Sequence, residues 1–241
     1  MTESYPDLLL FDLDGTLYDL TAMKLRLLPR GVQELLRFGP FTAWQRFRGL
    51  QAFRKARENQ RGKAKVENLR EYLQQIATEK TRIDPKVVAL AVGDFLYSKR
   101  FPELRGLQSA KDRQTLETLA HRGYRLGVVS EYPVDAKLEE LGLSNIPWKV
   151  RIDCEQVGLL KPDPAVFLEA ARRLRVLPKD TVVIGDRLDA DITGAKKANM
   201  RSVWFAPRDP GYGGDCSYTH RIQYFEDLLQ LFPKRVRSLI T

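Results

Sequence analysis

Cysteine and histidine are nearly missing from this sequence: its 241 residues include two of each, Cys154 and Cys216, His121 and His220. Two thiols exclude a disulfide framework and a Cys-rich zinc site, and they make a reducing compartment, the cytoplasm, the default expectation. Neither histidine has a partner at metal-ligand spacing, so both are expected at the surface, and Cys154 is expected to pack as a small buried residue. Long apolar runs are missing too. No stretch approaches the ~18 residues of a membrane span. The opening segment MTESYPDLLLFDLDG carries neither the basic region nor the apolar length of a secretory leader. Internal repeats and low-complexity segments are also absent. What is present is ordinary globular material, 43% hydrophobic and 29% charged, too apolar for a disordered chain. A core of this size needs no disulfide or structural metal.

The net charge of +9 is unevenly spread. Between Leu20 and Arg105 there are 19 basic and 8 acidic residues, a net of +11, whereas the remainder carries 21 against 23. Such a shift in composition marks a boundary. A basic region can attract a polyanion, an acidic surface or a phosphorylated small molecule, or it can simply solvate exposed helix faces.

Outside the basic region, short apolar runs alternate with helical patterns. Asp7–Asp12, Arg125–Ser130, Thr181–Asp186 and Ser202–Phe205 have strand length, and Lys149–Asp153 is a weaker strand. The longer runs are apolar on both faces, as central parallel strands covered by helices should be. Helices are predicted over Lys111–Arg122, Pro164–Leu174 with Asp163 as N-cap, and Asp189–Ala198. This alternation predicts an α/β fold with a doubly wound parallel sheet. From Thr21 to Tyr97 the pattern is helical throughout. Val66, Leu69, Leu73 and Ile76 form one apolar stripe and Trp44, Phe47 and Leu50 another, both read as packing faces. Gly39-Pro40, Gly62 and Asp84-Pro85 divide this block into three or four helices. The expected organisation is an α/β core from residues 1–19 and 106–241 and a smaller all-helical domain from 20–105.

Ligands of open α/β sheets bind beyond the carboxyl ends of the strands, and four features fall there. Asp12-Leu13-Asp14-Gly15-Thr16 follows the first strand, with two carboxylates able to converge on one ligand. An Asp-Gly hairpin turn is the bland alternative, and it fits poorly because a helical block follows. Ser130 ends the next strand, where a hydroxyl can meet a phosphate oxygen or cap a helix. Lys161, in Leu160-Lys161-Pro162-Asp163-Pro164, can place an ammonium over an anion; alone it would read as a surface lysine. Gly185-Asp186-Arg187-Leu188-Asp189-Ala190-Asp191 clusters carboxylates suited to Mg²⁺, or to helix capping.

In this order, these residues resemble the haloacid dehalogenase (HAD) superfamily, phosphatase type, with a helical cap inserted after the first motif. The D-x-D-G-T-L motif at Asp12 is its most specific part, and the resemblance covers nearly the whole chain. It implies Asp12 as the nucleophile forming a phospho-aspartyl intermediate and Asp14 as the general acid/base. Thr16, Ser130 and Lys161 would bind the transferring phosphoryl group. Mg²⁺ would be held by the Asp12 carboxylate, the Asp14 backbone carbonyl and Asp186, with Asp191 in support. The dehalogenating branch lacks an aspartate at the Asp14 position, which argues against dehalogenation. Asp14 must be protonated for one half-reaction and ionised for the other, so neighbouring carboxylates are expected to raise its pKa. Glu131 and Arg187 depart from the family pattern. They are expected to pair with each other, or Arg187 to contact an anionic group of the substrate. The long segment Ala206–His220 is expected as a loop near the site. The implied function is hydrolysis of a small phosphomonoester, a sugar phosphate, nucleotide or related metabolite. A phosphomutase with the same residues is one alternative. The other is a binding module whose cap, basic over Arg46–Lys65, docks on nucleic acid or an acidic partner; it ranks lower because no nucleic-acid motif is present. The sequence carries no sign of a membrane partner or of an oligomeric state.

Overall fold

A computed structural model describes residues 5–207 and 218–235. The chain order begins β1 (Leu8–Phe11), α1 (Leu20–Arg26), α2 (Leu28–Gln60), α3 (Leu69–Thr81), α4 (Pro85–Leu96) and α5 (Ala110–His121). It continues β2 (Arg125–Ser130), α6 (Asp135–Glu140), β3 (Trp148–Asp153), α7 (Cys154–Val157), α8 (Pro164–Leu174), β4 (Thr181–Gly185) and α9 (Thr193–Lys197). It ends β5 (Arg201–Phe205), β6 (His220–Ile222) and α10 (Leu228–Leu231).

The six strands form one parallel sheet in the order β3-β2-β1-β4-β5-β6. The five expected strands are all present. β6 was not anticipated: three residues, HRI, are too short for a period to show. Most of the expected 206–220 loop, residues 208–217, lies outside the described residues. β1 runs through the middle of the sheet and has no exposed side chain. Leu8 and Leu10 join the apolar cluster on one face, Leu9 and Phe11 that on the other. That two-sided burial is why the strand reads as a continuous apolar run. Both expected helices flanking β2 and β4 form. The Asp163 carboxylate caps α8 through the Ala165 N–H at 2.9 Å, and Gly123 follows α5 with φ 91°. Cys154 is free and buried, and both histidines are exposed.

Helices α1–α4 make up the insertion between β1 and α5. Asp19 caps α1 by accepting from the Thr21 and Ala22 N–H groups. α2 is broken at Gly39, whose φ of 73° and ψ of 164° only glycine adopts readily, with Pro40 next. Asp84 and Pro85 start α4 as cap and first residue. The Leu69–Leu73 stripe packs against Leu50, Phe53, Val88 and Val92 as expected. The other stripe is corrected. Leu50 is buried, but Trp44 and Phe47 are 51% and 60% exposed. The buried face of α2 follows Arg46, Gly49, Leu50, Phe53, Ala56, Arg57 and Gln60. Its 3-and-4 spacing passes beside the two aromatics, so Arg46 and Arg57 are buried while the two rings stay outside.

The insertion is tied to the sheet at a turn. The Val66 N–H donates to the Gly158 carbonyl at 2.9 Å, and Gly158 has φ +75°. A Cβ there would lie 2.3 Å from the Val66 carbonyl oxygen. Gly158→Ala should therefore destabilise the fold by about 1–3 kcal/mol, from both the left-handed backbone and the clash. Thermal unfolding should show a Tm lower by roughly 3–10 °C; an unchanged Tm would mean this contact is not held in solution.

Candidate active site

The carboxyl ends of β1 and β4, with the loop before α8, bring four of the anticipated residues together. The Asp12 N–H donates to the Ile184 carbonyl at 2.8 Å, extending the ladder by one residue beyond β1. The Lys161 ammonium donates to Asp12 Oδ1 at 2.6 Å and to Asp191 Oδ1 at 2.7 Å, and is 1% exposed. Asp12, Asp186 and Asp191 present oxygens that all lie within 4.8 Å of one another. Two glycines permit that convergence. A Cβ on Gly15 would lie 2.4 Å from Asp186 Oδ2, and one on Gly185 would lie 2.5 Å from the Asp191 Cβ. Asp191 is carried by a single π-helical turn, Leu188–Ile192, where a plain helix was expected. Its Oδ2 accepts from the Arg187 N–H at 3.2 Å. Thr16 donates to Asp12 Oδ2 at 3.2 Å.

Asp14 faces elsewhere. Its carboxylate accepts from Lys137 Nζ at 2.5 and 2.7 Å and from the Tyr18 hydroxyl at 2.5 Å, outside the cluster of three acids. Ser130 is fully buried and its hydroxyl accepts from the Tyr132 N–H at 3.2 Å. A cavity of about 630 Å³ opens above Asp12, Asp14, Lys161 and Asp191. Neither Thr16 nor Ser130 is among the residues lining it.

The expected Glu131–Arg187 pair does not form. Glu131 is held by the insertion: Arg61 Nη1 and Nη2 lie 2.5 and 2.8 Å from its two carboxylate oxygens, and Arg57 donates to its backbone carbonyl. Arg61 also donates to the Lys161 carbonyl. Arg187 instead pairs with Asp189 at 2.6 Å and approaches Glu58 at 3.9 Å. The reason is position: the end of α2 lies across the strand ends and supplies cations that local sequence does not reveal. Sequence reasoning thus missed Lys137, Tyr18, Arg57 and Arg61. Arg57 had one usable signal, its i+4 spacing from buried Phe53; the others had none. Arg46 is likewise spent inside the insertion, on Glu34 at 2.5 Å and Asp94 at 2.7 Å. From the basic run 46–65, only Arg54 lines the cavity.

Burial and the charge of Asp191 hold the Asp12 carboxyl well above the usual range, partly offset by Lys161. Burial and Asp191 push Asp186 up to about 6. Burial would raise Asp14 too, but the charge and hydrogen bonds of Lys137, with Tyr18, lower it below its ordinary value. The expectation of a raised Asp14 is overturned, because its nearest partner is an ammonium rather than a carboxylate. Burial works against the Lys161 charge, and Asp12 and Asp191 more than restore it. Three carboxylates around one ammonium leave the cluster electronegative, and their hard oxygens suit a small divalent cation such as Mg²⁺.

A sequence model of the haloacid dehalogenase-like hydrolases matches residues 6–199, and the chain belongs to that family. A glyceraldehyde 3-phosphate phosphatase of Methanopyrus kandleri is 39% identical over 128 residues, covering 50% of this chain and 51% of that protein. The chain spans about half the length of the relatives it matches in sequence. Two solved structures are similar over nearly everything. A 2-haloacid dehalogenase from Pseudomonas syringae pv. Tomato has TM-score 0.66 and 25% identity, covering 94% of this chain and 97% of that one. A HAD phosphatase from Thermococcus onnurineus has TM-score 0.64 and 25% identity, covering 95% and 99%.

The raised Asp186 has a consequence for stability. A carboxyl with a folded pKa near 6 and an unfolded one near 3.8 favours the folded state below about 3.8, and that advantage is lost as pH rises through about 6. In metal-free protein, Asp186→Asn should raise stability at pH 7.5 by about 1–3 kcal/mol and do little at pH 4. Chelator-treated protein unfolded by urea at both pH values tests this, and equal effects at the two would count against it.

Proposed function

We propose that this chain is a Mg²⁺-dependent phosphatase acting on a small phosphomonoester in the cytoplasm. In this reading residues 1–19 and 106–241 form the catalytic core, and 20–105 a cap over it. The observation that carries it is the buried Lys161 ammonium bridging Asp12 and Asp191 at the floor of the cavity. A nucleophilic carboxylate repels a phosphate dianion. Lys161 offsets that repulsion and orients Asp12; Asp12, Asp186 and Asp191, with the Asp14 carbonyl, would hold a Mg²⁺ that would add charge neutralisation.

Asp12 attacks phosphorus through one Oδ, the bond to the ester oxygen breaks, and the alcohol departs with a proton from Asp14. Water then attacks the phospho-aspartyl phosphorus, Asp14 accepts its proton, and inorganic phosphate leaves Asp12. The Lys137 and Tyr18 contacts keep Asp14 ionised at rest, ready for the second half-reaction. A phosphate dianion bound beside it raises its proton affinity, so that Asp14 takes up a proton from solvent before the first. Thr16 steadies Asp12, and Ser130 supports the loop that follows β2. Of the eight cations in the basic run, Arg46, Arg57 and Arg61 are engaged with carboxylates, and Arg54 alone lines the cavity, so the run adds little charge to the cavity itself.

Phosphate release from a panel of phosphomonoesters with Mg²⁺ tests the reading. Asp12→Asn should abolish turnover, and Lys161→Met should lower kcat by about 10²–10³-fold. Lys137→Met should move the acidic limb of the pH profile upward, since Asp14 loses the cation that lowers its pKa. Activity surviving in Asp12→Asn would refute the covalent route.

A further inference from the structure

The cavity above the acid cluster has two unlike walls. One carries Arg54, Glu58, Glu131 and Arg187. The other is built from Leu20 and Met23 of α1, Leu27, Phe95 and Leu96 of α4, and Phe101. Lys24, exposed at the edge of this second wall, is its one charged side chain; the six apolar residues offer no strong donor or acceptor. A polyol laid against them would surrender water and find no partner, which is costly for every hydroxyl concerned. An apolar chain would gain from the same burial. Size agrees: about 630 Å³ is the volume of a site for a drug-sized ligand, and a short sugar phosphate would fill a small part of it.

The mouth of the cavity continues the same chemistry. Leu28 and Phe47 line it, yet they are 68% and 60% exposed. From Leu28, an exposed aliphatic row runs along α2 through Val32, Leu35 and Leu36, at i, i+4, i+7 and i+8 on one helix face. Apolar surface therefore leads from solvent into the chamber that ends at Asp12.

We propose that the phosphomonoester cleaved here has an extended apolar leaving group, a long-chain alkyl phosphate, whose chain lies along the wall of Leu20, Met23, Leu27, Phe95, Leu96 and Phe101. The inference rests on the phosphatase reading and names its substrate class. The P–O bond to the alkyl oxygen breaks, the long-chain alcohol takes up one proton, and water supplies the oxygen of the released phosphate. The charged wall and Lys161 hold the head; the apolar wall holds the tail.

The test measures phosphate release by the Mg²⁺-loaded chain from acetyl phosphate, glyceraldehyde 3-phosphate and monomeric n-alkyl phosphates of increasing length. Acetyl phosphate reads the phosphoryl-transfer site alone. The proposal expects kcat/KM to climb with chain length, approaching about fourfold per methylene where burial is complete. Octyl phosphate should exceed glyceraldehyde 3-phosphate by more than about tenfold. Leu27→Ser, in the wall, changes a half-buried side chain and Phe47→Ser, at the mouth, an exposed one; each should lower the octyl-to-acetyl ratio of kcat/KM severalfold. A flat alkyl series, or a preference for glyceraldehyde 3-phosphate, with acetyl phosphate still hydrolysed would overturn the substrate class and leave the phosphatase reading standing. A rising series that both variants leave intact would place the chain elsewhere and overturn the assignment to this wall. No phosphate from any substrate would sink both readings together.

Discussion

The Lys161 ammonium lies between two carboxylates with almost no access to water, and much of the structure exists to keep it there. Moving such a charge out of water is expensive, and losing one partner from a buried pair costs about 3–5 kcal/mol. Asp12 and Asp191 each satisfy one of its protons at under 2.8 Å. Their strands must therefore end at the same level, which the parallel register of β1 and β4 provides by pairing Phe11 with Ile184. Glycine at positions 15 and 185 follows from the same demand, because any side chain there would occupy the space the acids need. Three acids face one base, and the raised pKa values of Asp12 and Asp186 reflect their burial first and the charge of Asp191 second.

A second set of buried charges joins the helical insertion to the sheet. Arg57 and Arg61 reach from α2 to Glu131, and Arg61 also touches the carbonyl of Lys161. The orientation of the insertion is thus coupled through one arginine to the backbone that carries the central ammonium. Glu131, which looks repulsive beside a phosphate site when read alone, is neutralised before any substrate arrives. The remaining cations of the basic run lie mostly away from the cavity, which only Arg54 of that run lines. What faces the cavity from the insertion is chiefly leucine, methionine and phenylalanine.

Several parts of this architecture were legible in the residues. The strands of the sheet announced themselves by apolar runs, since a central parallel strand buries both faces and leaves no alternation to misread. Asp163-Pro164 and Asp84-Pro85 marked helix starts because a capping carboxylate and a preset φ act locally. Asp12, Lys161, Asp186 and Asp191 could be found because they follow strand ends. Trp44 and Phe47 misled, because hydrophobicity tells only that burial is favourable and the packing partner decides which side chains obtain it. The Glu131–Arg187 pairing failed for a related reason: neighbouring strand ends do not exclude a third element laid across them.

By itself, the sequence determined the order of the five longer strands and the main helices between them, the place of the break at Gly39 and the set of acids that could meet at one sheet edge. These depend on propensity, capping and period, all of which act within a few residues. Only the tertiary structure decided that Asp14 faces Lys137, that Glu131 faces Arg61, and that a basic insertion offers the cavity an apolar wall. Each of those outcomes depends on side chains some 70 to more than 120 positions apart along the chain. Electrostatics and burial act through space, and separation along the chain does not encode them.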